Sequence, residues 1–351
     1  MLLRIIRISI DYLRMTLIFN CMKQSVESFA LTRRGLLTSA AGFLAAGLTA
    51  TRGITATGPL NVIATTGMIA DTVRSIGGEY VSVKGLMGPG IDPHSFRQTR
   101  SDIVAMTRAD LVFWHGLYLE AQMEDFLADL ARQKTVVAVA QSLPTENLLS
   151  HEDYEGRFDP HVWMDPVLWK QVVDKITATL AEVRPEVQDA FQVSADAFKK
   201  ELAELDAYSR DVLALLRPEQ KVLVTAHDAF GYFGKAYGFE VIGVQGISTE
   251  SEAGLNRISE MVDLLVERDI RAVFVETSVS DRNMRALIEG AAAKGHDVTI
   301  GGALFSDAMG AEGSYEGTLL GMIDHNVTTI ARALGADAPR GGRSGKLTVS
   351  G

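Results

Sequence analysis

From Leu60 onward the chain alternates between two rhythms of apolar and polar positions. Short β-rich apolar runs predict strands over residues 60–65, 81–86, 111–114 and 136–140. Between them, apolar residues at helical spacing predict helices over 68–76, 101–108 and 119–132. The order β-α-β-α implies a parallel sheet with helices on its faces.

A different texture follows. Residues 185–216 contain no Gly or Pro after Pro185, and Val187, Phe191, Phe198, Leu202 and Leu205 recur mostly three, four or seven apart. That spacing predicts one helix of about 32 residues, some 48 Å at a rise of ~1.5 Å per residue. Pro185 suits its first turn and Pro218 its end. A helix of that length exceeds a small domain and is expected to run across two.

The alternation then resumes. Strands are predicted over 222–225, 240–244, 272–276 and 297–300, and helices over 229–237, 254–268, 283–294 and 315–334. The expected fold class is α/β: two parallel-sheet lobes with helices on both faces, bridged by one long rigid backbone helix. The segments are 1–56 (extension and export signal), 57–184 (first lobe), 185–216 (linking helix), 217–335 (second lobe) and 336–351, a Gly/Arg/Ser-rich tail expected to fray. Ligands of open α/β sheets lie beyond the carboxyl ends of the strands, which places a site in the cleft between the lobes.

The N-terminus reads as an address. Arg33-Arg34 precedes small and apolar residues 36–50, the pattern of a twin-arginine export signal. That run is about 15 residues, short of the ~20 a bilayer span needs, and cleavage is expected after Ala50 or Ala56. Residues 1–19 are apolar but interrupted by Arg4, Arg7, Asp11 and Arg14, which suits a start chosen too far upstream, with Met15 or Met22 as the true one. Cys21 lies ahead of the arginines, misplaced for lipid attachment after the apolar run. The mature protein is therefore expected to be periplasmic, soluble and not a lipoprotein.

Composition narrows the chemistry. Cys21 is the one cysteine, so an internal disulfide and thiolate zinc sites are excluded. The formal net charge of −10 makes nucleic acid an unsuitable partner, and a monomer is expected. Any metal must be held by His and carboxylates.

Such residues recur after the predicted strands. Asp92-Pro93-His94 follows the strand over 81–86 through a Gly-rich turn, and Asp159-Pro160-His161 lies between the first lobe and the long helix. His227 stands two residues after the strand over 222–225, and Asp307 beyond the strand ending near Ile300. Two candidates fall in each half of the chain. Singly, each histidine is more often a surface or structural residue than a ligand. Three at strand ends, with Asp-Pro-His twice, raise a joint alternative: three imidazoles and one carboxylate, a set that suits zinc or the harder manganese. Asp92 and Asp159 either take the free N–H of a ligand ring or cap a neighbouring turn. His115 ends a predicted strand, where it lines the cleft, orients a ligand or serves structurally, and Glu250 and Glu276 follow strands, where each either orients a ligand or caps an edge equally well.

At these residues the sequence becomes recognisable. Residues 90–96 (Gly-Ile-Asp-Pro-His-Ser-Phe), 159–166 (Asp-Pro-His-Val-Trp-Met-Asp-Pro), 224–233, 246–254 (Gly-Ile-Ser-Thr-Glu-Ser-Glu-Ala-Gly) and 304–310 carry the resemblance. The chain resembles the metal-specific solute-binding proteins of ABC transporters, the TroA-like or ZnuA-like family, from about Leu60 to Leu334. The resemblance implies a two-lobed clamp with metal in its cleft and an ABC permease at the inner membrane as partner. By motif, His94, His161, His227 and Asp307 match the family's four ligands, with Zn2+ or Mn2+ as the transported ion. Members with Glu at the third position look like manganese binders. His227 stands there in this chain, as in members similar to TroA that take zinc, manganese or both. Zinc-uptake members carry a long His-rich loop before the second Asp-Pro-His. Residues 150–158 are short and hold only His151, Glu152 and Asp153.

No catalysis is expected: four protein ligands leave little room for a substrate, and no His-Glu-x-x-His helix occurs. A metallohydrolase and a periplasmic metal buffer without a transporter are the alternatives. Ordinary imidazoles predict loss of affinity below about pH 6.

Overall fold

The computed structural model describes residues 58–150 and 156–348. The twin-arginine pattern, Cys21 and His151 lie outside them. The first lobe holds strands β1 (Leu60–Ala64), β2 (Val81–Gly85), β3 (Leu111–Trp114) and β4 (Val136–Ala138), with helices α1 (Gly67–Gly77), α2 (Arg100–Arg108) and α3 (Glu124–Ala131). After it come α4 (Pro166–Val183) and α5 (Gln188–Leu213). The second lobe holds β5 (Val222–His227), α6 (Gly231–Tyr237), β6 (Glu240–Gln245), α7 (Leu255–Glu267), β7 (Ala272–Glu276), α8 (Arg282–Ala293), β8 (Thr299–Leu304) and α9 (Leu319–Ala333).

Both sheets are parallel and share one topology. The strand order is β2-β1-β3-β4 in the first and β6-β5-β7-β8 in the second. In each, the chain reverses direction across the sheet beside its first strand, where a crevice forms at the carboxyl edge. His227 is the last residue of β5, so the second sheet delivers it directly to that edge.

Two expectations about the helices are corrected. Residues 166–183 form α4, which periodicity had left unassigned. Asp165 caps it by accepting from the N–H groups of Val167 and Leu168, with Pro166 at the first helical position. The helix is rich in β-branched residues of weak helical propensity. It forms because Leu168, Trp169, Val172, Val173, Ile176 and Leu180 are buried along one side. The linking helix is shorter than expected: residues 185–187 make a 3-10 turn, and α5 itself has 26 residues, about 39 Å.

That helix packs against α4 and α1 of the first half of the chain and against α9 of the second lobe. Phe191, Phe198, Leu202, Leu205 and Leu213 belong to one buried cluster that continues from Val62 and Phe113 in the first lobe to Leu319 and Ile330 in the second. The lobes therefore share a core, which limits their relative motion to small displacements.

Two smaller differences concern the C-terminal side. β8 runs to Leu304, through Gly301 and Gly302, where sequence placed its end at Ile300. A Cβ at Gly301 would meet the Phe274 ring at 2.8 Å and Ala333 at 2.9 Å. Those glycines let α9 approach the strand rather than end it. The tail over 336–348 does not fray. Ala338 and Leu347 are buried, Arg343 N–H donates to Asp324 at 2.9 Å, and Thr348 N–H donates to Glu316 at 2.6 Å. Among the described residues no helix is long and apolar enough to cross a membrane.

Candidate metal centre

Four side chains from distant parts of the chain meet between the lobes. Donor atoms of His94, His161, His227 and Asp307 all lie within 4.8 Å of one another, and all four residues are buried. Two come from loops of the first lobe and two from the second. His94 Nε2 and His161 Nε2 stand 3.3 Å apart. Asp307 Oδ1 approaches His161 Nε2 at 3.3 Å, and its Oδ2 approaches His227 Nε2 at 3.2 Å. The two Asp307 approaches lack hydrogen-bond alignment: His227 Nε2 and both Asp307 oxygens are buried without a hydrogen-bond partner. Buried polar atoms are nearly always satisfied, so three orphaned donors converging on one point require something between them.

The outward-facing nitrogens are held by carboxylates. Asp159 Oδ1 accepts both the backbone N–H of His161, at 2.9 Å, and its ring Nδ1–H, at 2.7 Å. Glu276 does the same for His227, one oxygen taking the backbone N–H and the other the ring Nδ1–H. A proton fixed on Nδ1 leaves Nε2 as the lone-pair donor facing the centre. Asp92 behaves differently from Asp159, although both open an Asp-Pro-His run. It accepts the backbone N–H of His94 at 2.9 Å and the Ser95 hydroxyl at 2.9 Å, capping the turn without touching the ring.

The charges are strongly mutual. Burial presses on His161, but Asp159 and Asp307 outweigh it and lift its pKa to about 9. Burial likewise opposes protonation of His227, and Glu276 and Asp307 overcome it to hold that ring well above the imidazole range. Burial works against ionisation of Asp307 too, and His227 and His161 reverse it, keeping the carboxyl well below its usual range. His94 has no such carboxylate on its ring, and burial drops it to about 4.

Of the other residues singled out by sequence, His115 lies away from the four donors. Its Nε2–H donates to the carbonyl of Pro160 at 2.6 Å, and its ring packs against Trp163 and Trp169. Burial drops its pKa to about 3, and its bond to the Pro160 carbonyl braces the residue before His161. Glu250 is not placed to orient any of the four. It is exposed and bonds to Gln122 across the lobes. Of the two glutamates, Glu276 is the one that orients a ligand ring, and its position at the end of β7, beside β5, is the signal that marks it. Trp163, buried beside His115 and His161, donates its indole N–H to the carbonyl of Ser306, next to Asp307, at 2.8 Å. Tyr232 joins the lobes as well: its hydroxyl donates to the carbonyl of Asp159 at 2.9 Å and accepts from Leu149 N–H at 3.0 Å.

Two parallel-sheet lobes that each contribute two donors to one buried centre define a two-lobed solute-binding protein whose solute is a small cation. The chain belongs to the family described as zinc-uptake complex component A, periplasmic (ZnuA), whose profile matches residues 62–333. It is 49% identical over 276 residues to the manganese-binding lipoprotein MntA of Bacillus subtilis (strain 168), covering 78% of this chain and 90% of that protein. It is 45% identical over 273 residues to the zinc-binding protein TroA of Treponema pallidum, covering 78% of this chain and 88% of that one. The solved structure of periplasmic TroA from Treponema pallidum superposes with a TM-score of 0.77 over 79% of this chain and 99% of that chain. The family and the two-lobe α/β fold expected from the sequence are borne out.

The expectation of a protein that is not a lipoprotein is overturned. Both MntA of Bacillus subtilis and a 32% identical MntA of Halalkalibacterium halodurans, which covers 78% of this chain and 88% of that protein, are named lipoproteins. Cys21 and the paired arginines lie outside the described residues, and their order along the chain is no ground for excluding a lipid anchor.

Proposed function

We propose that this chain is the periplasmic substrate-binding protein of an ABC metal-uptake system, anchored by lipid like its relatives named lipoproteins, and that His94, His161, His227 and Asp307 are the ligands of its cargo. The ion enters as substrate, is enclosed by two donors from each lobe, and is handed to a permease without covalent chemistry. The observation that carries the reading is the set of orphaned buried atoms, His227 Nε2 and both Asp307 oxygens, converging on His161 and His94. Three nitrogens and one carboxylate favour zinc. Manganese stands as the second cargo, supported by the 49% identity to a manganese-binding relative.

Competitive titration of the metal-free chain with zinc and manganese, beside His227→Ala, tests this. Zinc is expected to bind one ion per chain, with manganese weaker and mutually exclusive, and the substitution is expected to weaken both by at least about a hundredfold. Binding of neither ion would remove the reading. Binding undisturbed by His227→Ala would move the site elsewhere.

A further inference from the structure

The segment between β6 and α7, residues 246–254, links ligand loops of opposite lobes. It begins beside a ligand of the second lobe: Gln245 pairs with His227 in the sheet, and Gly246 accepts from the N–H of Asp228 at 3.3 Å. Its middle reaches the first lobe. The Thr249 hydroxyl donates to Asp92 Oδ2 at 2.6 Å, and Glu250 accepts from Gln122. Asp92 is the residue that takes the backbone N–H of His94 with its other oxygen. A chain of direct contacts therefore runs from Thr249 through Asp92 to His94.

The same segment closes one side of the centre. Ile247 and Ser248 face His94 across a residual space of about 20 Å3, completed by Leu117, Tyr118, Phe158 and Pro160. Leu117 and Tyr118 are both left-handed (φ 53° and 66°), a costly conformation for two successive side-chain-bearing residues. Glu120 fixes that turn by accepting the N–H groups of His115 and Gly116. Glu120 thus braces the first-lobe wall, and the strap faces that wall from the second lobe.

The interlobe ties also differ in burial. Trp163–Ser306 and Tyr232–Asp159 lie in the shared core, whereas Thr249 is half-buried and Glu250 and Gln122 are exposed. Water competes for the second pair and not for the first, so the strap is the weak tie of the closed form. His94 is the ligand it reaches, and the ligand whose ring no carboxylate orients.

We infer that Thr249 is a positioning residue: through Asp92 it holds His94 against the ion while the lobes are closed, so that the 246–254 strap sets the rate of metal release. This rests on the proposed function. The test is stopped-flow release of zinc from the full chain into excess chelator, with association measured in parallel. Thr249→Val is expected to release about tenfold faster, the effect of losing one hydrogen bond to a charged acceptor, with a smaller effect on association. Thr249→Ser, which keeps the hydroxyl, is expected to restore slow release. In the cobalt-loaded protein the ligand-field spectrum of Thr249→Val should match wild type, because the four donors remain. Release at the wild-type rate in Thr249→Val, or equal acceleration in the Val and Ser variants, would overturn the inference while leaving the metal site standing. A wild-type chain that binds no zinc would instead remove the function on which the inference rests.

Discussion

Trp163 and Ser306 belong to different lobes, and the indole Nε1–H of the first donates to the carbonyl of the second at 2.8 Å. Each lies close to a proposed ligand in sequence, Trp163 two residues after His161 and Ser306 one before Asp307. The bond therefore sets the distance between a donor of one lobe and a donor of the other. Trp163→Phe keeps most of the buried ring but leaves the Ser306 carbonyl unpaired, at a cost of about 1–3 kcal/mol. Zinc affinity is expected to fall about tenfold in calorimetric titration. Unchanged affinity would mean that the shared core alone fixes the spacing.

Glu276 sits where a conservative change separates charge from shape. Glu276→Gln retains the size and the acceptor for the backbone N–H of His227, but presents an amide to ring Nδ1. The amide N–H donates, which places the ring proton on Nε2, the nitrogen aimed at Asp307. Loss of such a carboxylate partner weakens metal affinity about 10–100-fold in comparable sites. The fold should survive, as far-UV circular dichroism would report, while a competition assay shows the loss. Affinity equal to wild type would assign Glu276 a purely structural part.

Protonation of the metal-free centre gives a count. His161 titrates near 9 and His227 well above the ordinary range, so both rings carry a second proton at pH 7, while His94, at about 4, carries none. A zinc ion must displace the protons from Nε2 of the first two. Calorimetry in buffers of different ionisation enthalpy should therefore find about two protons released per ion at pH 7. The decline in affinity expected from ordinary imidazoles below pH 6 moves upward, with His161 competing for its proton as pH falls through about 9 and His227 acting in the same direction. Release of no protons would mean that the carboxylates do not hold those rings charged.

The same groups fix the stability of the metal-free chain. The pKa of His161 is raised on folding, so its ion-pair contribution is complete below the unfolded value of ~6.5 and is lost as pH rises through about 9. His227 adds to that loss in the same direction. The metal-free melting temperature should fall between pH 6.5 and 9. Loading with zinc, which removes those protons, should largely abolish the slope. A flat metal-free profile would contradict the raised values.

Leu202 lies on the buried side of α5 within the core that both lobes share. Leu202→Ala is expected to cost about 2–5 kcal/mol. The lobes should still unfold together, in one transition by fluorescence and by circular dichroism. Two separated transitions would show that α5 does not couple them.

Strand and helix positions were legible wherever one period dominated. The runs at 60–65, 111–114 and 272–276 and the helix at 254–268 lie within a few residues of β1, β3, β7 and α7. The four candidate donors were legible as residue types in the Asp-Pro-His runs at 92–94 and 159–161, at His227 closing β5 and at Asp307 just past β8, and the fold brings them together. Helix α4 was missed although Asp165-Pro166 and the spacing of Trp169, Val172, Val173, Ile176 and Leu180 carried it, because its β-branched residues argue locally against a helix. Only burial against α1 and α5 outweighs that preference. The tail beyond Gly335 was misjudged for a similar reason: its anchors, Asp324 and Glu316, are close in space and invisible to composition.

By itself the sequence determined the alternating elements, the exclusion of thiolate chemistry, and which residues were able to serve as donors. Periodicity and residue chemistry are local properties, readable along the chain. The tertiary structure decided which carboxylate orients which ring. It made Glu276 rather than Glu250 the partner of His227, gave Asp92 and Asp159 different tasks within identical tripeptides, and carried Thr249 to Asp92 across 157 residues. Those pairings depend on how two sheets and a shared helical core bring distant loops together, and no short-range pattern encodes that distance.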